Sequence, residues 1–431
     1  MQTTKRRKLM VSFESDMSDA GSDAAAQGSE ASSAKGSVLV FIALASIPLV
    51  LVLGNSMLVP VLPQMQEKLG ITQFQSSLLI TLFSVTAGVF IPVIGYLSDR
   101  FSRKAIIIPA LIVYGAAGIL AGFGAIWSSY STIIIARAIQ GLGAAGTAPI
   151  AMALVGDLFK AGTESKALGL MEASNGTGKV VSPIIGSLLA LWAWFAAFFA
   201  FPVFCAVALA AVIFIIKEPS KENKPMKLGD YVKTVSTILK EKARWLITAF
   251  CAGSLGLFIL FGVLFYLSEQ LEKEPYSIDG VKKGFILAIP LLGQVLTAYI
   301  TGSRIKKNGK VIRWVMNIGL ALMTVSLASA IFFLNNIVIL IALLCLSSIG
   351  TGLLLPCLNT MIVGSVEQAE RGMITSLYNS LRFLGVAFGP PLFSWMMDIS
   401  GKLVFTSVSV LSALTFVAVL LLIKPGKQLS E

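Results

Sequence analysis

Apolar runs of about 20 residues recur along almost the whole chain, and short polar connections separate them. An α-helix of that length spans the hydrocarbon of a bilayer, where every backbone polar group must be satisfied within a helix or a closed barrel. The short alternating strands of a barrel are absent from the sequence. We therefore predict an all-α, polytopic membrane protein with twelve transmembrane helices. The predicted spans cover residues 37–59, 76–97, 105–126, 131–154, 166–190, 194–216, 245–268, 284–303, 312–334, 337–361, 373–396 and 403–423.

Composition supports this class and excludes several functions. Of the 431 residues, 56% are hydrophobic and 13% are charged, and the mean hydropathy is +0.84. The absence of histidine removes His-based catalytic triads, proton relays and metal sites together. The four cysteines show no paired spacing, and there is no G-x-x-x-x-G-K-[ST] loop for nucleotide phosphates. We expect neither an enzyme nor a metal or other cofactor.

The distribution of charge predicts the orientation. Lys and Arg number 34 against 22 Asp and Glu, which gives a net charge of +12. Most of the basic residues fall in the two tails and in the connections on one side of the predicted spans. Under the positive-inside rule that side is cytoplasmic, so both termini of this multi-pass cell-membrane protein are predicted to be cytoplasmic. The same rule explains the positive charge without a nucleic-acid partner.

The tails and one central connection divide the chain into five parts. Residues 1–36 are polar and rich in Ser, Ala, Gly and Asp, which predicts a disordered cytoplasmic tail, and residues 424–431 form a second tail. Residues 37–216 and 245–423 are each predicted to form a six-helix bundle. Between the bundles, residues 217–244 place apolar positions at helical spacing opposite lysines. This pattern fits an amphipathic helix on the inner leaflet, with a plain cytoplasmic linker as the alternative.

An internal repeat relates the two predicted bundles. A gapless shift of 207 residues pairs the same residue type at several points of spans 2, 4 and 5 with spans 8, 10 and 11. The pairs are Gly95 with Gly302, Gly143 with Gly350, Pro149 with Pro356, Gly178 with Gly385, and Pro183 with Pro390. Two halves of the same topology imply a pseudo-two-fold axis along the membrane normal and a substrate site between the halves, as in transporters.

The connection after span 2 reads GYLSDRFSRK and resembles the G-x-L-x-D-R-x-G-R-[KR] motif of the major facilitator superfamily. The matching residues are Gly95, Leu97, Asp99, Arg100, Arg103 and Lys104. Ser102 stands where the family has glycine, so this connection is expected to turn somewhat differently. The resemblance implies a loop that acts in the switch between inward-facing and outward-facing states, with charge pairing between neighbouring helix ends.

Span 4 carries RAIQGLGAAGTAP, which resembles the family motif R-x-x-x-G-x-G. Arg137 lies within the membrane, and Gln140 follows one turn later. The resemblance implies a role for Arg137 in proton coupling, as in related antiporters. Span 1 holds Asn55 rather than an acid, so the chain departs from the many cation exporters that use a deep acid there.

Span 5 resembles the family's drug-exporter motif G-x8-G-x3-G-P-x2-G-G. The matching residues are Gly169, Gly178, Pro183 and Gly186, whereas Ser182 and Ser187 replace glycines. The motif is associated with antiporters rather than uptake symporters. Span 11 ends in a parallel hinge with Gly389 and Pro390, and it contains Arg382.

Charged residues inside the predicted spans are mostly basic. Arg137, Lys179 and Arg382 lie deep, and Glu172 is expected to be the only acid at comparable depth. Because an unpaired buried charge is costly, we hypothesise that the central cavity favours an anionic or amphiphilic substrate. The alternative is that these residues bond to helix carbonyls and Gln140 and serve folding or gating. Glu172, Asp157 and Lys179 all stay open as carriers of the coupling proton.

Together these features predict a proton-coupled exporter that works by alternating access. Its substrate would be a small organic molecule, either drug-like or an anionic amphiphile such as a siderophore. An uptake symporter is the alternative within transport, although the span 5 motif argues against it. A membrane enzyme lacks a polar catalytic cluster, and a receptor or scaffold gives no reason for the repeat. The family is usually monomeric.

Overall fold

The computed structural model describes residues 39–159, 162–218, 228–305, 308–365 and 371–424. The predicted N-terminal tail 1–36 and nearly all of the C-terminal tail lie outside these ranges. The predicted all-α class is confirmed, because the described residues form thirteen helices and no strand. In the first half the helices are α1 (Leu39–Leu69), α2 (Gln73–Arg100), α3 (Arg103–Ile126), α4 (Tyr130–Ala145 and Ala148–Leu158), α5 (Gly162–Ala190) and α6 (Ala196–Phe214).

A short helix precedes the second half of the chain. The helices of this part are α7 (Leu228–Glu241), α8 (Ala243–Glu272), α9 (Gly280–Arg304), α10 (Gly309–Ala330), α11 (Ile337–Gly364), α12 (Arg371–Ile399) and α13 (Gly401–Leu422). Within the described residues, ten helices are long and apolar enough to cross a membrane. With the more polar α5 and α12 they make up the twelve predicted spans. We call the side of the α2–α3 connection the inner side and the opposite side the outer side, following the predicted orientation.

Polar side chains set several helix starts. The Thr72 hydroxyl accepts the N–H of Gln75, and the Gln75 side chain accepts the N–H of Thr72 at 2.8 Å. Asn308 and Asn336 cap α10 and α11 in a similar way. Such caps satisfy the free amides of the first turn. As a result, α2 and α10 begin about one turn before the apolar stretches from which they were predicted.

Two of the predicted spans are interrupted rather than regular. α1 leaves α-helical geometry at Met57, passes through the 3-10 turn Val59–Val61 and continues from Leu62 to Leu69. α4 breaks between its two segments, where Pro149 lies in the first turn of the second one. Proline lacks an N–H and favours the start of a helix over its interior. The predicted end of span 1 at residue 59 is therefore wrong, because the chain remains helical beyond the Pro60 turn.

The two halves pack in equivalent ways. In the first half α3 contacts α4 and α6, and in the second half α10 contacts α11 and α13. Gly143 of α4 meets the Ala110 carbonyl of α3, and its repeat partner Gly350 of α11 meets the Gly319 carbonyl of α10. The halves meet through α2 with α12 and α5 with α9. The repeat therefore reflects two bundles with the same helix contacts, and the space between them is bounded by α2, α5, α9 and α12.

Candidate functional site

The guanidinium of Arg137 lies fully buried where α1, α2 and α4 meet. Its Nε donates to the Leu79 carbonyl at 2.9 Å, and Nη1 donates to the Gly54 carbonyl at 3.0 Å. Nη1 also donates to the Gln140 side chain at 2.6 Å, and Nη2 to that of Asn55 at 3.4 Å. Arg137 thus joins three helices, and it brings together three of the residues singled out in the sequence.

These contacts leave the charge of Arg137 without an acidic partner. None of the ion pairs formed by the described residues includes it. The guanidinium instead lies over the Phe83 ring, 4.4 Å from its centre, a contact that favours a cation. The amide of Leu58 would normally bond to the Gly54 carbonyl, but α1 leaves helical geometry at that point and Arg137 donates there instead. The arrangement matches the alternative of bonding to helix carbonyls and Gln140.

Glycines allow α4 to approach its neighbours closely around Arg137. A Cβ on Gly141 would clash with the Phe83 carbonyl of α2, and one on Gly143 would lie 2.7 Å from the Ala110 carbonyl of α3. Real Cβ atoms do not come this close to backbone oxygen, so only glycine fits at either position. Close approach of the helix axes is what lets the Arg137 side chain reach two neighbouring backbones.

Lys179 lies on the face of α5 that points between the halves. α5 packs against α1 through Gly178 and Gly186, and against α9 through Gly176. At about 3.6 residues per turn, Lys179 falls between these two contact faces, with Glu172 on the same face two turns away. Glu172 is exposed and Lys179 is partly buried. As the sequence predicted, the two do not form a direct ion pair.

Arg382 faces the same space from α12. This helix packs on α8 through Gly385 and Gly389, and on α2 through Ser380, whose hydroxyl donates to an α2 carbonyl. Around the helix axis, the contacts with α8 and α2 leave two free faces. Phe388, which is 52% exposed, lies on the face that points to lipid. Arg382 lies on the other face, so its side chain points into the space between the halves.

The two cations from opposite halves act on one another. Arg382 and Glu172 are the charged groups that affect Lys179 electrostatically. The Arg382 Nη1 donates to Asn379 at 3.3 Å, and its buried Nε has no partner among the described residues. The buried hydroxyl of Tyr378 also lacks a partner there, and its ring lies 5.4 Å from the Arg382 guanidinium. The space between the halves is therefore lined by two cations that act on one another, with Glu172 as the acid that affects Lys179.

The exporter-motif residues of α5 and α12 serve packing. Gly186 meets the Met57 carbonyl at the break in α1, and Gly389 meets the Phe258 carbonyl of α8 at 2.7 Å. Both helices continue without interruption through Pro183 and Pro390. Gly169 lies within α5, but its surroundings are outside the described part. The residues of this motif bring α5 to α1 and α12 to α8, which are repeat-related pairs.

The motif between α2 and α3 forms a charged cluster on the inner side. Arg103 pairs with Asp99 at 2.5 Å and with Asp157 of α4 at 2.9 Å. A Cβ on Gly95 would lie 2.9 Å from the Ser376 hydroxyl of α12. The motif therefore joins α2, α3 and α4, and it touches the other half. Arg100 is exposed at the end of α2.

Glu218 completes this cluster and was missed in the sequence. Its carboxylate accepts the backbone N–H groups of Arg103 at 2.6 Å and Lys104 at 2.9 Å, which caps the N-terminus of α3. The Lys104 ammonium donates in turn to the Ile213 and Ile216 carbonyls at the end of α6, each at 2.9 Å. Both interactions place charge where the helix dipole favours it. No local sequence pattern marks Glu218, because it meets α3 only after α6 returns to the inner side.

Ser102 explains how the connection works without the family's glycine. Its φ of −118° and ψ of 149° are extended backbone that any residue adopts, and its hydroxyl accepts the Ala105 N–H at 2.9 Å. We expect Ser102→Ala to lower the free energy of unfolding by about 1 kcal/mol and Ser102→Gly by only a few tenths. Thermal unfolding of the purified protein measures this. Thr237→Ala, in the middle of α7, is the control, and equal losses in both alanine variants would contradict a capping role.

The short helix α7 contacts both halves on the inner side. The Tyr231 ring meets the Tyr96 ring of α2 edge to face at 5.2 Å, and Lys242 just after α7 donates to the Ser365 carbonyl at 2.6 Å. Burial raises the pKa of Tyr231 to about 12, and Asp99 adds to this effect. The phenol therefore stays protonated at neutral pH. Contact of α7 with the inner leaflet stays a prediction.

A second polar cluster lies on the outer side, and the sequence did not predict it. Gln66 of α1 donates to the buried Glu269 carboxylate of α8 at 2.7 Å. Fully buried Lys283 of α9 pairs with Glu272 at 2.7 Å and donates to the Pro60 carbonyl at 2.8 Å. The expectation that Glu172 is the only deep acid is wrong, because α8 continues past residue 268 and buries Glu269. The predicted span 284–303 leaves Lys283 in the preceding connection, whereas Lys283 lies inside α9, which begins at Gly280.

Comparison with known proteins identifies relatives along nearly the whole chain. The sequence profile of the Major Facilitator Superfamily matches residues 44–277 and 266–430. The Bacillibactin exporter of Bacillus subtilis (strain 168) is 42% identical over 394 residues, which cover 90% of this chain and 98% of that protein. Multidrug resistance protein 2 of the same organism is 23% identical over 367 residues, covering 84% and 89%.

Solved structures share the fold at lower identity. The human organic anion transporter MFSD10 superposes with a TM-score of 0.70 at 19% identity, covering 89% of this chain and 99% of that one. A bacterial homologue of the human lysosomal transporter Spinster, solved in an inward-facing and occupied conformation, gives 0.68 at 14% identity and covers 90% and 96%. At these identities the similarity concerns the arrangement of helices alone.

Proposed function

The chain belongs to the Major Facilitator Superfamily, and from this premise we propose that it exports an anionic amphiphile of the siderophore class in exchange for protons. The exporter relative at 42% identity covers nearly its full length, which supports export over uptake. The two equivalent bundles support alternating access, in which a central site opens to one side at a time. We further propose that the protein lies in the cytoplasmic membrane, with both termini inside, as a monomer.

The observation that carries the anionic substrate class is the meeting of Lys179 and Arg382. They enter the central space from different halves, and neither forms an ion pair with any described residue. Two like charges in a confined, partly buried space repel each other and are costly to desolvate. A negatively charged guest reduces both costs, and a cationic guest increases them. A substrate bound between the halves would also have a contact on each, as alternating access requires.

The Bacillibactin exporter at 42% identity supports an amphiphile of the siderophore class over a simple inorganic anion. The Tyr378 ring beside Arg382 is fully buried and stacks on Phe250 of α8 at 5.7 Å, so it leaves no free face for a substrate.

Purified protein in liposomes tests this function directly. We expect bacillibactin to move against its concentration gradient when an imposed pH gradient drives protons in the opposite direction. Valinomycin with equal potassium on both sides removes the contribution of membrane potential to an anion. Absence of bacillibactin flux under pH gradients of either sign would remove the proposal.

Neutralising the two cations tests the substrate class. We expect Lys179→Gln and Arg382→Gln each to raise the KM for bacillibactin about 10-fold or more, because a charge-assisted hydrogen bond contributes about 1.5–3 kcal/mol. Transport of a cationic dye should be unchanged or improved. Lys233→Gln, which neutralises an exposed lysine on α7, is the matched control. If Lys179→Gln and Arg382→Gln changed the transport of bacillibactin and of the cationic dye no more than Lys233→Gln does, recognition of negative charge would be contradicted.

A further inference from the structure

Glu269 is a buried carboxylate at the contact between the two halves on the outer side. Its side chain is at the end of α8, and the residue is 5% exposed. Gln66 of α1 uses one amide hydrogen for Glu269 at 2.7 Å and the other for the Ser76 hydroxyl of α2 at 2.9 Å. Nearby, the Ser268 hydroxyl donates to the Val59 carbonyl at 2.9 Å. These contacts between α8 and the first half close the outer side in this structure, and they place Glu269 against the first half.

The charges around Glu269 leave it without a direct cationic partner. Lys283 of α9 is a buried cation that acts on Glu269, but its ammonium is taken by Glu272 and the Pro60 carbonyl. Lys273 and Lys283 act on Glu269 electrostatically, with Glu272 opposing them. Asp279 at the start of α9 acts on Lys283 as well. Across the described ranges no ion pair includes Glu269. Its polar contact in this cluster is the hydrogen bond that it accepts from the Gln66 amide.

This environment is better suited to a neutral carboxyl than to a carboxylate. Burying an ionised carboxylate without a paired cation is costly, whereas a protonated one carries no net charge. A protonated carboxyl keeps a carbonyl oxygen that accepts the Gln66 amide, so the bridge between the halves survives protonation. Protonation of Glu269 therefore favours the closed outer side, and loss of the proton favours its opening.

We propose that Glu269 carries the coupling proton. With the outer side open, the carboxylate takes a proton from water on that side, and the neutral group is then buried as the halves close. After the proton leaves to water on the inner side, the buried carboxylate favours outward opening with substrate bound. From the Gln66–Glu269 hydrogen bond towards the inner side, the next polar side chains that we place on the path of the proton are Ser56 and then Asn55 of α1. The buried hydroxyl of Ser56 lacks a partner in the described part. This inference rests on the proposed proton exchange and assigns it to one group.

The acids considered from the sequence fit this role less well. Glu172 is exposed, so closure of the outer side does not change its desolvation. Asp157 is bonded to Arg103 on the inner side, away from outer water. Glu269 alone among these three combines burial, the absence of a paired cation and a position between the halves.

A labelling experiment tests the proposal without any substrate. In a variant whose four native cysteines are replaced by alanine, Val59→Cys places a thiol at the outer contact, where Val59 is 2% exposed. An impermeant maleimide added outside then reports opening, after normalisation to Lys68→Cys on the exposed tip of α1. We expect normalised labelling to rise about 10-fold from mildly acidic to mildly alkaline outer solution. With Glu269→Gln added, labelling should be slow and independent of pH.

Transport in liposomes provides the second measurement. With bacillibactin as the probe, Glu269→Gln should slow exchange between labelled and unlabelled substrate, because its neutral side chain favours the closed outer side. It should lose accumulation driven by the pH gradient by about 10-fold or more. A single size-exclusion peak at the wild-type position shows that the variant is folded. Glu67→Gln, which neutralises an exposed acid beside Gln66, should behave as the wild type in both assays.

The outcomes separate this inference from the proposed function. Failure of the wild type to couple bacillibactin to protons would remove the proposed function, while the labelling result would still decide whether Glu269 controls outer opening. Unchanged pH dependence of labelling in Glu269→Gln, or gradient-driven transport that Glu172→Gln abolishes and Glu269→Gln preserves, would overturn the inference. Glu269→Asp, which keeps an ionisable carboxyl, must restore exchange and gradient-driven transport, and its failure to do so would also overturn the inference.

Discussion

Arg137→Ala is expected to abolish transport and to lower the free energy of unfolding by about 3 kcal/mol or more. The guanidinium bonds to the Leu79 and Gly54 carbonyls and to two side chains, so its removal frees acceptors in three helices. The Gly54 carbonyl is affected most, because α1 leaves helical geometry where its usual amide partner would be. Water cannot replace the lost donors cheaply in a fully buried position.

One further variant separates charge from geometry at this site, and a second variant elsewhere in the chain is its control. Arg137→Lys keeps the charge but has a single ammonium, which cannot present a planar fork to two helices at once. We expect it to recover less than about a tenth of transport. Arg244→Ala removes an exposed guanidinium at the start of α8 and should leave both transport and unfolding unchanged. Thermal unfolding in detergent and exchange in liposomes are the measurements, and wild-type values for Arg137→Ala would show that the three helices hold together without this residue.

Gly186→Val is expected to prevent correct packing of α5 on α1. A Cβ at this position would clash with the Met57 carbonyl, which is backbone at the break in α1 and cannot move aside as a side chain would. Overpacking of this kind costs about 1–3 kcal/mol, and a branched side chain at a backbone contact should reach the upper end. We expect less than about a tenth of the wild-type yield of folded protein. Fluorescence-detected size-exclusion chromatography measures that yield.

Gly302 provides the matched control for this substitution. It also lies in a transmembrane helix, but the nearest atom to an added Cβ is Pro356 Cβ at 3.9 Å, an ordinary contact. Gly302→Ala should keep the folded yield and add up to about 1 kcal/mol of stability, since alanine favours helix over glycine. If Gly186→Val and Gly302→Ala gave equal yields, the close approach of α5 to α1 would not matter for folding.

The fold was largely predictable because hydropathy and helix period are properties of neighbouring residues. Twelve apolar stretches predict twelve spans, and the all-α class follows from the requirements of the bilayer. The ends were less predictable, since the capping box at Thr72 and the turn at Pro60 depend on polar and backbone geometry rather than hydropathy. α8 illustrates the limit: its prediction stopped at residue 268, one position before a buried acid that only the contact with α1 explains.

The sequence predicted which residues belong to the candidate site but not which of them contact each other. Arg137, Gln140 and Asn55 were each noticed in the sequence, yet they lie on different helices or different turns, and only packing shows that they share hydrogen bonds. Lys179 and Arg382 were noticed as separate buried charges. Their meeting across the two halves depends on which faces of α5 and α12 the glycine contacts leave open.

The sequence by itself determined the number of spans, the repeat, the family motifs and the excess of positive charge within the membrane, because all of these depend on residue type and spacing. Only the tertiary structure decided which charges have partners. Arg137 bonds to backbone carbonyls, Lys179 and Arg382 act on one another without an ion pair to a described acid, and Glu269 is buried against Gln66. Such pairings bring together residues far apart in the chain, and the energy of a buried charge depends on that three-dimensional neighbourhood rather than on local sequence.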